Sequence, residues 1–339
     1  TRNNEIMLVI FLFFIVFGLW YLSEVLVPLF IGLFLAYLLD PVVDKLEKRK
    51  LGRGTATTIV LLIFSLVVFF LSFLIIPILL EQTKEFLKLF PNLISELEKF
   101  VNIGIKIFQK NILNFQTTDF VLSFKDNLSK VVDKLFQNII SSSMALFNFL
   151  GLVVITPIVT WYMLKDWDKM VKYMENQTPK IYKKKVKNIF KEVDSILSTY
   201  FRGQFLVSSS LVLYFSISFT IVGLKYSIFM GLFAGLFSFI PIIGIIISLV
   251  ISLLLAFLQF YDYTHLLYVI GIFFFAQILE SYILTPRLIG KKLGIHPLVI
   301  IISIIIFGSI LGMVGVFFAI PFTSIIIFYF EKWIKNIGA

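Results

Sequence analysis

Glu280 is the only acidic residue between Tyr263 and Phe330, a stretch that is otherwise largely apolar. A carboxylate in an apolar helix is costly unless it meets water, a cation or a polar partner. Its chemistry is to bind a proton or cation and release it. Gln277 lies three residues earlier, on the same helical face, and its amide suits the hydroxyls of a polar solute. Arg287, two turns further on, can anchor the carboxylate or an anionic group on a solute. A plainer alternative stays open: Glu280 pairs with Arg287 or Lys291 at the membrane interface and carries nothing.

Such side chains become a site where the helices around them are broken. Proline removes a backbone N–H, and glycine permits close approach. Pro241 and Gly244 interrupt the apolar stretch 226–259. Pro286, Gly290 and Pro297 punctuate the basic turn after Glu280, and Pro321 lies inside the last apolar stretch, 298–330. As unbroken helices the two stretches would each run about 50 Å, against ~30 Å of hydrocarbon. Each is expected to divide into two short spans or to turn back as a hairpin, with Pro241, Gly244, Pro286 and Pro321 setting the broken-helix geometry. Paired interruptions of this kind mark the solute site of many secondary transporters. Gly308, Gly312 and Gly315 suit close helix packing in a small-xxx-small pattern.

Composition points the same way. The chain has 339 residues, 59% hydrophobic and 15% charged, whereas soluble domains are about a quarter charged. Its apolar runs are long and do not alternate, so they are helices rather than strands of a membrane barrel. The net charge of +10 sits in loops that flank the spans, as the cytoplasmic bias of Lys and Arg requires. No basic stretch joins a nucleic-acid-reading motif, so no nucleic-acid partner is expected. With no cysteine, disulfides and thiolate metal sites are excluded. The chain holds no phosphate-binding loop, nucleophile elbow or HExxH motif. It is therefore expected to be no enzyme and to need no cofactor or metal.

The expected fold is all-α, a polytopic membrane protein of about 7–8 transmembrane helices. It should have broken or re-entrant hairpins in its C-terminal half and an amphipathic extracytoplasmic region. Residues 1–80 hold the N-terminal spans: 6–22 and 25–39, joined at Ser23–Glu24, and 55–80 beyond a basic loop. Asp40–Pro41 should end the second of these. Residues 81–143 form the amphipathic region, with one apolar stripe through Phe86, Phe90 and Leu93, another through Leu128, Val131 and Leu135, and a loop at 111–119. Residues 144–164 cross back, kinked at Pro157. Residues 165–203 form a basic cytoplasmic helix, either packed on the protein or drawn to anionic lipid. Residues 204–339 form the transport core, in which Pro286 stops the Glu280 helix. Both termini are expected in the cytoplasm.

Several stretches resemble one known family. IPIIG at 240–244, QILESYILTPRLIGKKLGIHPLVI at 277–300 and GSILGMVGVFFAIP at 308–321 are similar to motifs of the autoinducer-2 exporter family. YMLKD at 162–166 and YFRGQ at 200–204 fit the same pattern. The resemblance covers essentially the whole chain, although Tyr282 stands where members commonly carry Asn. It implies a bacterial inner-membrane protein that exports a small polyhydroxylated signal of quorum sensing, and members are also reported as sodium–proton antiporters. The function expected first is secondary export of a small hydrophilic solute, with Gln277 and Glu280 in contact with solute or proton and Arg287 as anchor. The second is exchange of sodium for protons at Glu280. The third is a non-transporting scaffold, assembled through its outer helices. A homo-oligomer in the lipid bilayer is expected.

Overall fold

The computed structural model describes residue 18 and residues 23–111, 143–289 and 295–337. The expected span 6–22 apart from residue 18, residues 112–119 of the loop, the second amphipathic stripe, Gly290 and Lys291 lie outside the described residues. In chain order the helices are α1 (Ser23–Glu47), α2 (Arg53–Asn111), α3 (Ser143–Gln177), α4 (Lys180–Val222), α5 (Ser227–Phe237), α6 (Ile243–Phe260) and α7 (Tyr263–Ile278). A π-helical turn (Leu279–Leu284), a short α8 (Thr285–Leu288) and α9 (Pro297–Ile337) complete the helices of the described residues. Among the described residues there is no strand, and 6 helices are long and apolar enough to cross a membrane. Phe69, Phe70 and Phe73 of α2 are each more than half exposed, as a lipid-facing surface requires. The chain is an all-helical, multi-pass membrane protein.

Several expected breaks fall inside continuous helices. Helix α1 runs through Asp40–Pro41 to Glu47. Pro41 removes the N–H that would bond the Tyr37 carbonyl, and Arg202 Nε donates to that carbonyl instead, at 2.7 Å. Helix α2 is a single rod of 59 residues, about 88 Å long at ~1.5 Å per residue. It joins the third span to the first amphipathic stripe without interruption. Helix α4, 43 residues long, likewise fuses residues 180–203 of the expected basic helix to the span that follows, whereas its first residues, 165–177, extend α3. Pro286 does not stop the Glu280 helix, because the π-helical turn before it carries the chain on to Leu288. Pro157 lies inside α3, which continues to Gln177.

Both long apolar stretches are hairpins. The first, α5–α6, reverses at 238–242, where Ile242 takes φ 69°. A Cβ on Gly244 would overlap the Phe237 carbonyl, so only glycine fits at this crossing. The second lies within α9. Gly312 takes φ 61° and ψ −141°, close to a region that is essentially glycine's alone. Phe307 and Phe322 then face each other with ring centroids 5.4 Å apart, where a straight helix would separate them by about 22 Å. A Cβ on Gly315 would overlap the Phe307 carbonyl, which repeats the first hairpin's device. Pro321 is not the break: it lies inside the returning arm, Val314–Ile334. Nothing stands within 4 Å of a Cβ built on Gly312, so Gly312→Ala meets backbone strain alone. It is expected to cost about 1–3 kcal/mol, read as a lower midpoint of thermal unfolding in detergent.

Helix α4 is the spine on which both hairpins pack. Helix α5 runs antiparallel to it: Gly231 lies against Ser216 and Gly235 against Val212. Ser208 Oγ donates to the Gly235 carbonyl at 2.6 Å, and Gln204 Nε2 to the Ser238 carbonyl at 3.3 Å. The returning arm of α9 also runs antiparallel to α4, but along its other half. Phe318 meets Phe201 at 5.1 Å, and the Tyr329 hydroxyl reaches Glu192 at 3.1 Å. The hairpins therefore approach from opposite ends of α4. One core joins α4 to α7 around Phe215, Phe219 and Met230. Another joins α1, α2 and α3 around Val43, Ala56 and Leu164. A third ties α1, α4 and α9 through Tyr37, Phe201 and Phe318.

Candidate functional site

The tips of the two hairpins meet. Phe239, at the turn of the first, stacks on Phe317 of the second with centroids 4.7 Å apart and planes 20° apart. Phe34 of α1 stands edge-on to both, at 6.2 Å from Phe239 and 5.6 Å from Phe317. With Phe205 and Phe237 these rings line an apolar cavity of about 380 Å³. Offset and edge-on contacts are the preferred aromatic geometries, so the tips close on each other through a specific cluster.

Less than two helical turns from Phe34 along α1 the chemistry inverts. Arg53, the first residue of α2, reaches across to α1: Nη2 to Asp40 at 3.2 Å, and Nη1 to Asp44 at 3.4 Å and Glu47 at 3.1 Å. Its Nε donates to the Leu164 carbonyl of α3 at 2.8 Å, and Asp168 lies 3.6 Å away. The second carboxylate oxygen of Asp40 accepts from Arg202 Nη2 of α4 at 3.1 Å. Asp40 thus links two arginines on separate helices, and Arg202 holds both Asp40 and the carbonyl freed by Pro41. A cavity of about 320 Å³ opens here, lined by Tyr37, Asp40, Asp44, Arg53, Asp168 and Asp194, among others. Carboxylates outnumber guanidinium groups on its wall, which suits a solute rich in hydroxyl or ammonium donors.

Sequence reasoning does not single out these residues. The available signals were Asp40–Pro41, an arginine inside the apolar run YFRGQFLV, and the last arginine of a basic loop before a long apolar helix.

The residues expected to form the site are arranged differently. Glu280 lies in the π-helical turn and is half-buried. It has no ion-pair or hydrogen-bond partner among the described residues. The Gln277 amide donates to Ser281 Oγ at 2.8 Å, not to Glu280. Arg287 is exposed and makes no ion pair among the described residues. The expected Glu280–Arg287 pair is therefore not formed. The segments that flank the turn meet α4: Tyr214 donates to the Ile272 carbonyl of α7 at 3.1 Å, and Ile289, just beyond α8, lies against Gly203. Glu280 lies between these two contacts in the chain. Insertions of π geometry into α-helices concentrate at functional sites.

Comparison with known proteins accords with this architecture. Residues 8–335 match the profile described as "AI-2E family transporter". A protein of Escherichia coli K12, provisionally named permease PerM, is 29% identical over 319 residues, covering 94% of this chain and 90% of the relative. A Bacillus subtilis relative, provisionally named transport protein YrrI, is 26% identical over 337 residues, covering 95% of this chain and 91% of its own length. A second B. subtilis relative, YueF, named in the same way, is 28% identical over 322 residues, with 94% and 86% coverage. With the family's profile matching nearly the whole of this chain, which folds as a multi-pass helical body, the chain belongs to the AI-2E family of membrane transporters.

Proposed function

We propose that the protein is a secondary exporter of a small hydrophilic solute across a bacterial inner membrane, with the two hairpins as opposed gates. The observation that carries this reading is their arrangement: they enter from opposite ends of α4 and touch at Phe239 and Phe317. Alternating access needs two elements that open in turn around one closure. The acidic chamber around Asp40 and Arg53 is the solute's waiting position on one side of that closure. Glu280 is the coupling residue, with Gln277 beside it and Arg287 free to meet an anionic group. The family name and the donor-seeking chamber together favour a polyhydroxylated solute such as autoinducer-2.

The test uses everted vesicles from cells expressing the protein, energised with a proton gradient and supplied with autoinducer-2. Wild-type vesicles should accumulate it several-fold over vesicles lacking the protein. Glu280→Gln should abolish gradient-driven accumulation while leaving downhill exchange in place. Accumulation no greater than in empty vesicles would remove the exporter assignment.

A second reading rests on the absence of a described partner for Glu280: exchange of sodium for protons at that carboxylate. In that case a sodium pulse should dissipate the pH gradient in wild-type vesicles, and Glu280→Gln should reduce the rate at least tenfold. An unchanged rate in the variant ends the antiport reading. A scaffold would sustain neither flux.

A further inference from the structure

Helix α4 begins with a basic face. Lys180, Lys183, Lys184, Lys185, Lys187 and Lys191 are opposed in this half of the helix by Glu192 and, deeper along it, Asp194. Two clefts follow each other in the seam between this half of α4 and the returning arm of α9. The first, about 520 Å³, has Ile181, Lys184, Lys185 and Trp333 on its walls. The second, about 470 Å³, has Lys191, Ile196 and Phe328. Lys332 bridges to both oxygens of Glu192, at 2.8 and 3.0 Å, where the clefts adjoin. The α4 residues that line them, from Ile181 through Glu192 to Thr199, advance by three or four and share one helical face. The seam is therefore continuous over about 27 Å at ~1.5 Å per residue.

Its two ends differ in chemistry. Lys184 and Lys185 are exposed and have no ion-pair partner among the described residues. Beside them Ile181 is 87% exposed and Trp333 59%. Exposed aliphatic and indole groups at the level of a lysine cluster are the signature of the membrane interface. Further along, the walls are Ile196 and Phe328. A ligand that fits must be anionic at one end and apolar along its length. We propose that this seam binds one anionic phospholipid, with its headgroup phosphate on Lys184 and Lys185 and an acyl chain along Ile196 and Phe328. Such a lipid would brace the returning arm of the second hairpin against α4.

The experiment is native mass spectrometry of the detergent-purified protein titrated with phosphatidylglycerol or phosphatidylcholine. Wild type should take up phosphatidylglycerol at least tenfold more readily. Replacing Lys184, Lys185 and Lys191 together by Gln should remove that preference, a loss of on the order of tenfold or more given the attraction of each lysine for an anionic surface. Ser195→Trp, which keeps every lysine but fills the second cleft, should weaken uptake as well. Replacing Lys45, Lys48 and Lys50 by Gln removes the same charge elsewhere and should change little. Equal uptake of the two lipids would overturn the proposal. So would an equal loss in the Lys45, Lys48 and Lys50 control, which would mean general electrostatic attraction. Competition by inorganic phosphate at the lipid's concentration would make the seam a small-anion site instead. A triple variant that changed oligomeric state with lipid uptake intact would make it a contact between copies.

Discussion

Arg53→Met is expected to be among the most destabilising single changes in this protein, by about 2–3 kcal/mol. Arg53 holds Asp40, Asp44 and Glu47 of α1, approaches Asp168 of α3, and donates to the Leu164 carbonyl. Removing one partner of a buried ion pair costs about 3–5 kcal/mol, because the other charge is stranded. The Arg53 side chain is 22% exposed, and that of Asp168 76%, so solvent screens part of the effect. In thermal unfolding of a chain of this length, a loss of that size corresponds to a midpoint lowered by roughly 3–4 °C. The sign of the pH dependence follows from what is left behind. Without the guanidinium, facing carboxylates repel each other, and protonation relieves them. The gap between wild type and variant should be widest near neutral pH and should narrow as pH falls toward the carboxylate range near ~4. High salt should narrow it too. Arg53→Lys keeps one charge but loses the fork that spans α1 and α3, and should fall between the two. A deficit identical at neutral and acidic pH would mean that Arg53 acts through packing alone.

The same cluster shows why part of the site is hidden in the sequence. The hairpins are legible because an uninterrupted apolar stretch of that length does not fit a bilayer, and IPIIG names the point where the first one turns. The second is legible as a hairpin but not in its details. Three glycines and a proline are candidates for the bend, and only the backbone at Gly312 distinguishes them. Pro41 misleads for a different reason. A proline ends a helix when the carbonyl it frees finds no other donor, and here the donor is Arg202, remote in sequence. Nothing local to Pro41 announces that. Glu280 and Arg287 mislead through register. Seven residues apart, they share a face of an α-helix, but Glu280 lies within a π-helical turn, and an inserted residue rotates the faces out of line. The lone carboxylate was visible from composition, whereas its lack of a described partner depends on a backbone irregularity that composition does not encode.

The second large effect is expected at the paired hairpin crossings. Gly244→Ala places a methyl group onto the Phe237 carbonyl, and Gly315→Ala places one onto the Phe307 carbonyl. Backbone cannot rotate aside as a side chain can, so each hairpin must open by a fraction of an ångström or more. Overpacking costs typically 1–3 kcal/mol, and overlap with backbone puts both variants at the upper end, about 3 kcal/mol. The larger consequence is for flux. Opening either crossing moves Phe239 or Phe317 away from the other, and their stacking at 4.7 Å is the contact through which the tips close. Vesicles carrying either variant should lose at least tenfold of the flux that wild type sustains. Combined, the two should lose less than the sum of their separate stability costs, because the first displacement already breaks the shared contact. Gly271→Ala is the control. A Cβ there meets nothing within 4 Å, and alanine is the better helix former, so both stability and flux should be preserved. Wild-type flux in Gly244→Ala and Gly315→Ala, with their unfolding midpoints lowered, would separate closure of the tips from transport and leave the hairpins a purely structural role.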